Sequence, residues 1–335
     1  MSNAKTSMFI SNLALLLYSI FLTLLIGLRF EVGVDWDNYL VHLDAAMGVS
    51  FFDAIQGKDS AYSALNWLAN EFGFGVWFVN LVCAILFVSG LVNFCKNLPK
   101  PWLALAIAAP YISIVFAMNY TRQAAAFGLL LFALVALQRS RLLSFLLFII
   151  VAGMFHKSAV LLIPLGLLIG SKNRIFLLFV IVFFAVVSFF IFLLETQNAL
   201  IEQYISGEMG SDGAWVRVLM NALPSAVFLA MLKHFTLNPN QRRIYVALSV
   251  FSLLFIPLLM VSPSSTAVDR IALFLLPIQL YIFSHLPISV RPWRVSNIAT
   301  LGILCIYASA MLVWFEFSPW SIYWLPYRFY PLEAL

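Results

Sequence analysis

Apolar runs of membrane-spanning length follow one another along this chain, separated by short polar breaks. A helix needs roughly 20 apolar residues to cross a bilayer. Eleven stretches read as spans: 8–28, 73–94, 101–117, 121–138, 141–155, 158–170, 174–194, 216–233, 243–261, 269–285 and 295–315. The third, fifth and sixth are short for a full crossing, which predicts tilted, broken or partly re-entrant segments. The cuts fall at 96–101, 138–141, 171–174, 238–243 and 291–294, where Pro, Asn, Ser, Lys and Arg gather and break helices. The first run is too long for the apolar core of a cleaved signal and lacks a small-residue cleavage site, so it reads as a span that stays. The expected architecture is an all-α polytopic integral membrane protein, one transmembrane domain over residues 1–335.

Composition agrees. The chain is 63% hydrophobic and only 10% charged, whereas soluble domains are about half apolar and a quarter charged. Cys83, Cys95 and Cys305 lie in or beside apolar runs without metal-ligand spacing, which argues against a disulfide framework or a zinc site. No Gly-rich phosphate loop occurs, so ATP-driven transport has no support.

Charge sets a direction. With the N-terminus in the cytoplasm and the spans alternating, seven of the 19 basic residues fall outside: Arg29, Lys58, Arg122, Lys157, Arg217, Arg270 and Arg328. The other basic residues fall inside, as the positive-inside rule requires, and all 14 acidic residues fall outside. This predicts a cytoplasmic N-terminus and a periplasmic C-terminus. Three long segments then face outward: 29–72, 195–215 and the tail 316–335. Within the first, 53–70 reads as an interfacial amphipathic helix with Tyr62, Leu65 and Leu68 on one face. Gly207, Gly210 and Gly213 mark the second as a mobile lid. No internal repeat is visible, which disfavours a transporter built of repeats.

The densest charge is in 29–39, where Arg29, Glu31, Asp35 and Asp37 follow directly on an apolar run. Charge at a membrane edge in so apolar a chain marks a functional site. Arg29, Arg122, Arg217 and Arg270 each mark the outer end of a span, and His156 and Lys157 sit at an outer turn. A compact bundle brings these to one cavity. The planar arginine fork suits phosphate, which points to a substrate with its lipid tail in the bilayer and its phosphates at the interface. Simpler readings stand beside this one. An arginine at a span end also snorkels to headgroups, and Asp269 reads equally as a local ion-pair partner of Arg270. His42, His234 and His285 read as structural. Asp35 is the best functional carboxylate, while Asp37 reads as the cap of a helix starting near Asn38. The aromatic tail, including Trp320, Tyr323, Trp324 and Tyr327, reads either as an interfacial belt or as a platform for sugar rings.

Four pieces carry a resemblance. Arg29-x3-Gly33-x-Asp35-x3-Tyr39 resembles the opening motif of the EpsG/Wzy family of bacterial polysaccharide polymerases. Thr121-Arg122-Gln123 opening a span is similar to its central arginine motif, and Phe155-His156-Lys157-Ser158-Ala159 to its Phe-His-x-Ser-Ala turn. Arg270 ahead of Pro277 and Tyr281 resembles its late Arg-Tyr segment. The order and spacing cover most of the chain. Trp36 departs from the tyrosine expected there.

The resemblance implies a metal-independent membrane glycosyltransferase of the C-type architecture, with no cofactor. It would polymerise undecaprenyl-diphosphate-linked oligosaccharide repeat units on the periplasmic face of the cytoplasmic (inner) membrane. The growing chain would pass from its lipid carrier to the non-reducing-end sugar of a new lipid-linked unit. Partners implied are the lipid-linked donor and acceptor, membrane lipids and a chain-length regulator, with no nucleic acid. The residues fit such chemistry: Arg122, Arg217 and Arg270, with Arg29, for the diphosphate; Asp35 and His156 competing as base; Tyr39, Trp324 and Tyr327 for sugar. Two alternatives remain open. An O-antigen ligase or another lipid-sugar transferase is one, although ligases carry a larger outer domain than 195–215 allows. A lipid-linked sugar flippase is the other, although it should place charge near the midplane or on both faces.

Overall fold

The computed structural model of the chain describes residues 2–56, 59–168, 175–176, 179–180, 182, 213–262, 265–290 and 292–333. Most of the expected seventh span, 174–194, and nearly all of the 195–215 loop, with Gly207 and Gly210, lie outside the described residues.

The described residues are helical, and their one extended pairing is an isolated antiparallel bridge between Arg29 and Phe329. The chain opens with α1 (Ser2–Gly27). Three short helices follow: α2 (Trp36–Asp44), α3 (Phe51–Ile55) and α4 (Ser60–Glu71). Then come α5 (Val76–Lys96), α6 (Pro101–Asn119), α7 (Thr121–Gln138) and α8 (Leu142–Phe155), leading into a 3₁₀ helix over Lys157–Leu168. The second half holds α9 (Ala214–Ala230), α10 (Pro239–Val261), α11 (Val268–Ser289), α12 (Trp293–Phe317) and the short α13 (Tyr330–Glu333). Six helices (α5, α6, α7, α10, α11 and α12) are long and apolar enough to cross a membrane, and four stretches are shorter and apolar: Ser11–Gly27, α8, the 3₁₀ helix and α9. This is an α-helical membrane protein.

Helix α7 is the axle. Backbone meets backbone where it crosses α5: a Cβ on Gly90 would land on the Gly128 carbonyl, and one on Gly128 on the Leu86 carbonyl. Small residues allow such close approach in a bilayer, where van der Waals packing replaces the hydrophobic drive. Of the apolar window of α7, 83% is buried, against 11% for α12. Helix α12 is therefore peripheral, its apolar surface turned away from the bundle.

Two of the expected short spans owe their geometry to departures from the α-helix. The third continues to Asn119 through a π-helical stretch, Ala109–Phe116, the kind of wide turn often found at functional sites. The sixth is a 12-residue 3₁₀ helix. At about 2.0 Å rise per residue it reaches roughly 24 Å, against about 18 Å as an α-helix.

At one end of the bundle α1, α6 and α8 finish while α5 and α7 begin. The 28–35 loop, α2–α4 and the tail cap this Asp35 end. The expected helix over 53–70 is split between α3 and α4. Its buried face is Tyr62, Asn66 and Ala69, with Leu65 and Leu68 half-buried. The tail straps the entry loop. Phe30 N donates to Arg328 O (2.9 Å), Tyr330 N to Leu28 O (2.8 Å) and Gly33 N to Tyr323 O (2.9 Å). Arg328 pairs with Glu31 and with Glu333, and lies over the Phe30 ring.

Candidate active site

The site is shaped by Gly33. Its φ is +101°, and a Cβ there would meet Met118 O at 2.9 Å and Asn119 Cα at 3.3 Å. Only glycine accepts both the dihedral and the contact. The loop thus presses onto the end of α6, where Asn119 works twice. Its Oδ1 accepts from Asp35 N (3.2 Å), and its carbonyl accepts from the Tyr39 hydroxyl (3.1 Å). Asp35 sits at the N-cap position of α2 but does not cap with its side chain; Oδ1 accepts from Asn38 Nδ2 instead (3.2 Å). The helix therefore starts at Trp36, earlier than the sequence suggested, and Asp37 is an exposed first-turn residue rather than the cap.

Arg29 has a different setting from the other arginines. It is 1% exposed. Its guanidinium donates to Ile26 O (2.7 Å), Val32 O (3.2 Å) and Thr121 Oγ1 (2.7 Å), with Asn80 Oδ1 at 3.5 Å. The Thr121 hydroxyl donates on to Asn80 Oδ1 (3.3 Å). The cation expected at the diphosphate ties α1, α5 and α7 together, its donors spent within the protein.

Arg122 donates to Asp59 Oδ2 (2.6 Å) and lies over the Tyr62 ring (5.7 Å), with 31% of its side chain exposed. Arg217 grips both oxygens of Asp269, Nη2 to Oδ2 at 2.6 Å. The local Asp269–Arg270 pair read from sequence is therefore not formed. Consecutive residues on a helix do not face each other: Asp269 turns inward to α9 and Arg270 outward, exposed. Among the described residues neither Arg270 nor Lys157 has an ion-pair partner.

His156 occupies the turn between α8 and the 3₁₀ helix. Its ring stacks on Phe274 (centroids 5.7 Å apart), and Nδ1 is buried without a hydrogen-bond partner among the described residues. Burial first, then the charges of Arg122, Arg270 and Lys157, push its pKa down to about 3. It is a neutral imidazole at physiological pH. Burial pushes the Asp35 carboxyl up, opposed by the Asn38 hydrogen bond and by Arg270, Arg122 and His42. Tyr120, at the break between α6 and α7, lies within electrostatic reach of Arg217, Asp269 and Asp35. Arg122 and Arg270 thus act on both Asp35 and His156, while Arg217 and Asp35 both act on Tyr120 between them.

The aromatic residues expected to hold sugar are part of the wall. Tyr39 is 3% and Trp324 4% exposed. Trp324 Nε1 donates to Ile114 O (3.0 Å) in the π stretch, and the Tyr327 hydroxyl to Leu25 O (2.7 Å). The exposed rings are Trp320 and Tyr323, stacked 6.2 Å apart beside the Gly33 contact. Sequence reasoning missed Asn119 and Asp59. Asn119 stands directly before Tyr120 and the Thr-Arg-Gln run, which was its only signal; nothing local marks Asp59.

The profile of the EpsG family matches residues 12–329, from within α1 to the tail strap. The chain belongs to the EpsG family. EpsG proteins are Wzy-type polysaccharide polymerases, so the resemblance carried by four short motifs holds over nearly the whole chain. Comparison with curated proteins and with solved structures found no match. Every charged residue of the site in this EpsG protein falls inside the matched range.

Proposed function

We propose that this EpsG protein polymerises undecaprenyl-diphosphate-linked oligosaccharide units, with its Asp35 end facing the periplasm across the cytoplasmic membrane. The observation that supports the reading is that Arg122 and Arg270 act on both Asp35 and His156 at the end of a helical membrane bundle capped by the entry loop and the tail. The positive-inside bias supports the orientation, with eleven spans and a cytoplasmic N-terminus.

A hydroxyl of the acceptor sugar attacks the anomeric carbon of the donor. The bond from that carbon to the diphosphate oxygen breaks, the lipid diphosphate leaves, and the hydroxyl proton passes to Asp35. A carboxylate raised by burial is the better base; an imidazole held at about 3 is too weak. His156 instead orients an acceptor hydroxyl or a phosphate oxygen. Charge grows on the leaving diphosphate as the bond breaks, so preorganised arginines stabilise the transition state, each donor contributing about 3–4 kcal/mol. Arg270 and Lys157 are open to receive the anion. Arg122 exchanges Asp59 for phosphate, Arg217 stays positioned by Asp269, and Arg29 leaves the ligand set for a structural one. Among the described residues no three His, Cys, Asp or Glu side chains cluster as metal ligands, and the arginines supply the charge a metal would.

Arg122→Ala and Arg270→Ala are expected to abolish long polymer while single repeat units still reach the surface lipid. Glycan profiling of the knockout complemented with each variant reads this. Long polymer in both variants overturns the arginine site. A knockout with no repeat unit on the surface lipid favours a flippase or a ligase.

A further inference from the structure

We propose that the Gln123 side-chain amide binds sugar hydroxyls of the lipid-linked unit; this rests on the polymerase reading. Gln123 is in the first turn of α7, directly after two residues already accounted for. Thr121 is held by Arg29 and Asn80, and Arg122 by Asp59. Gln123 is 4% exposed, and among the described residues neither Oε1 nor Nε2 has a hydrogen-bond partner. A buried amide unmatched at both ends is unfavourable, and an apolar side chain of that size would serve packing better.

Its direction follows from the helix. Gln123 shares a face with Phe127, one turn away, whose ring packs on Phe116 of the π stretch (5.4 Å). Gln123 therefore sits on the bundle-facing side of α7, one turn nearer Asp35 and next to Arg122. Two further buried atoms unpartnered among the described residues, His156 Nδ1 and the Tyr62 hydroxyl, belong to rings that same arginine acts on.

The ligand class follows from the atoms. A carboxamide offers one acceptor and one donor group. A diphosphate accepts only, so it would match Nε2 and strand Oε1; a cation would do the reverse. Neighbouring sugar hydroxyls both donate and accept, and match both ends. Sites built to hydrogen-bond hydroxyls discriminate strongly against ligands that lack them.

The test uses the purified full-length protein in detergent and its melting temperature. The probes are lipid-linked repeat unit extracted from a polymerase-deficient host, and bare undecaprenyl diphosphate. Wild type is expected to be stabilised by both, and more by the sugar-bearing probe. Gln123→Leu is expected to keep the shift from bare lipid diphosphate and lose the sugar-dependent excess, with KM for the unit up about tenfold, of order one lost hydrogen-bonding contact. A Gln123→Leu protein that keeps the full excess overturns the proposal and leaves Gln123 a structural amide. Should Gln123→Leu fail to fold, Gln123→Met is read the same way. If neither probe stabilises wild type, it is the polymerase reading that fails, and the proposal with it.

Discussion

Replacing Arg29 by methionine separates a structural arginine from a substrate ligand. The guanidinium donates to two carbonyls, Ile26 O and Val32 O, and to the Thr121 hydroxyl. At 1% exposure water does not reach these groups. Each stranded acceptor costs about 1–3 kcal/mol, so three cost at least about 3 kcal/mol. Relief from burying a cation, which burial already pulls below its usual pKa, offsets part of any larger sum. Domains of 150–250 residues lose about 2–4 °C per kcal/mol, which predicts a fall of about 6 °C or more. The control is Arg270→Met: an exposed side chain with no ion-pair partner among the described residues, whose loss should change stability by less than about 0.5 kcal/mol. Fluorescence-detected size exclusion after heating gives both melting temperatures, and the surface glycan ladder gives activity. Arg29→Met should melt early, and Arg270→Met should melt normally with no polymer. An Arg29→Met protein that melts with wild type yet makes no polymer refutes the structural assignment and returns Arg29 to the diphosphate.

Gly33→Ala forces a Cβ against Met118 O at a positive φ and should cost about 1–2 kcal/mol of strain while displacing Asp35; a polymer yield within twofold of wild type would contradict it. Asp35→Asn should cut turnover far more than it raises KM. Because burial raises the Asp35 pKa, activity should fall on acidification above the ordinary carboxylate range, and Asn38→Ala, which removes an opposing hydrogen bond, should move that limb further up; an unmoved limb excludes Asp35 as its source. His156 is depressed to about 3 from 6.5. Its stabilising contribution is therefore complete above pH 6.5 and is lost progressively below it, about 2 kcal/mol by pH 5; thermal melts of His156→Gln should lack that part of the acid sensitivity. EDTA should leave polymerisation intact, and strict rescue by Mg²⁺ or Mn²⁺ would overturn the metal-free mechanism.

What the sequence showed and what it hid divide along a physical line. Hydropathy marks helices locally, and among the described residues six of the expected stretches are helices long enough to cross a membrane and four are shorter apolar helices. Residue type marks Asp35, Arg122, His156, Arg217 and Arg270 as unusual, and the charges of Arg122 and Arg270 bear on both Asp35 and His156. What was hidden is partner choice. Whether Arg29 snorkels, binds phosphate or knits helices depends on Thr121, 92 residues away, and Asn80, 51 away. Asp269 passed over its neighbour for Arg217, 52 residues back. Trp324 and Tyr327 share their aromatic composition with Trp320 and Tyr323, and no periodicity in so short a tail says which rings turn inward. The π stretch of α6 carries the Ile114 carbonyl that receives Trp324, a pairing across 210 residues that no local pattern announces.

The strap between the tail and the entry loop has a consequence in time. Glu31 and Arg328 are 297 residues apart in the chain. Translation at about 5–20 residues per second puts roughly 15–60 s between the arrival of one and the other. For that interval the helices already inserted hold an acidic loop with no buttress on its far side. Until Tyr323 and Arg328 arrive, the backbone hydrogen bonds that hold Phe30 and Gly33 from the tail side are absent, and the Asp35 loop rests on its contacts with the end of α6 alone.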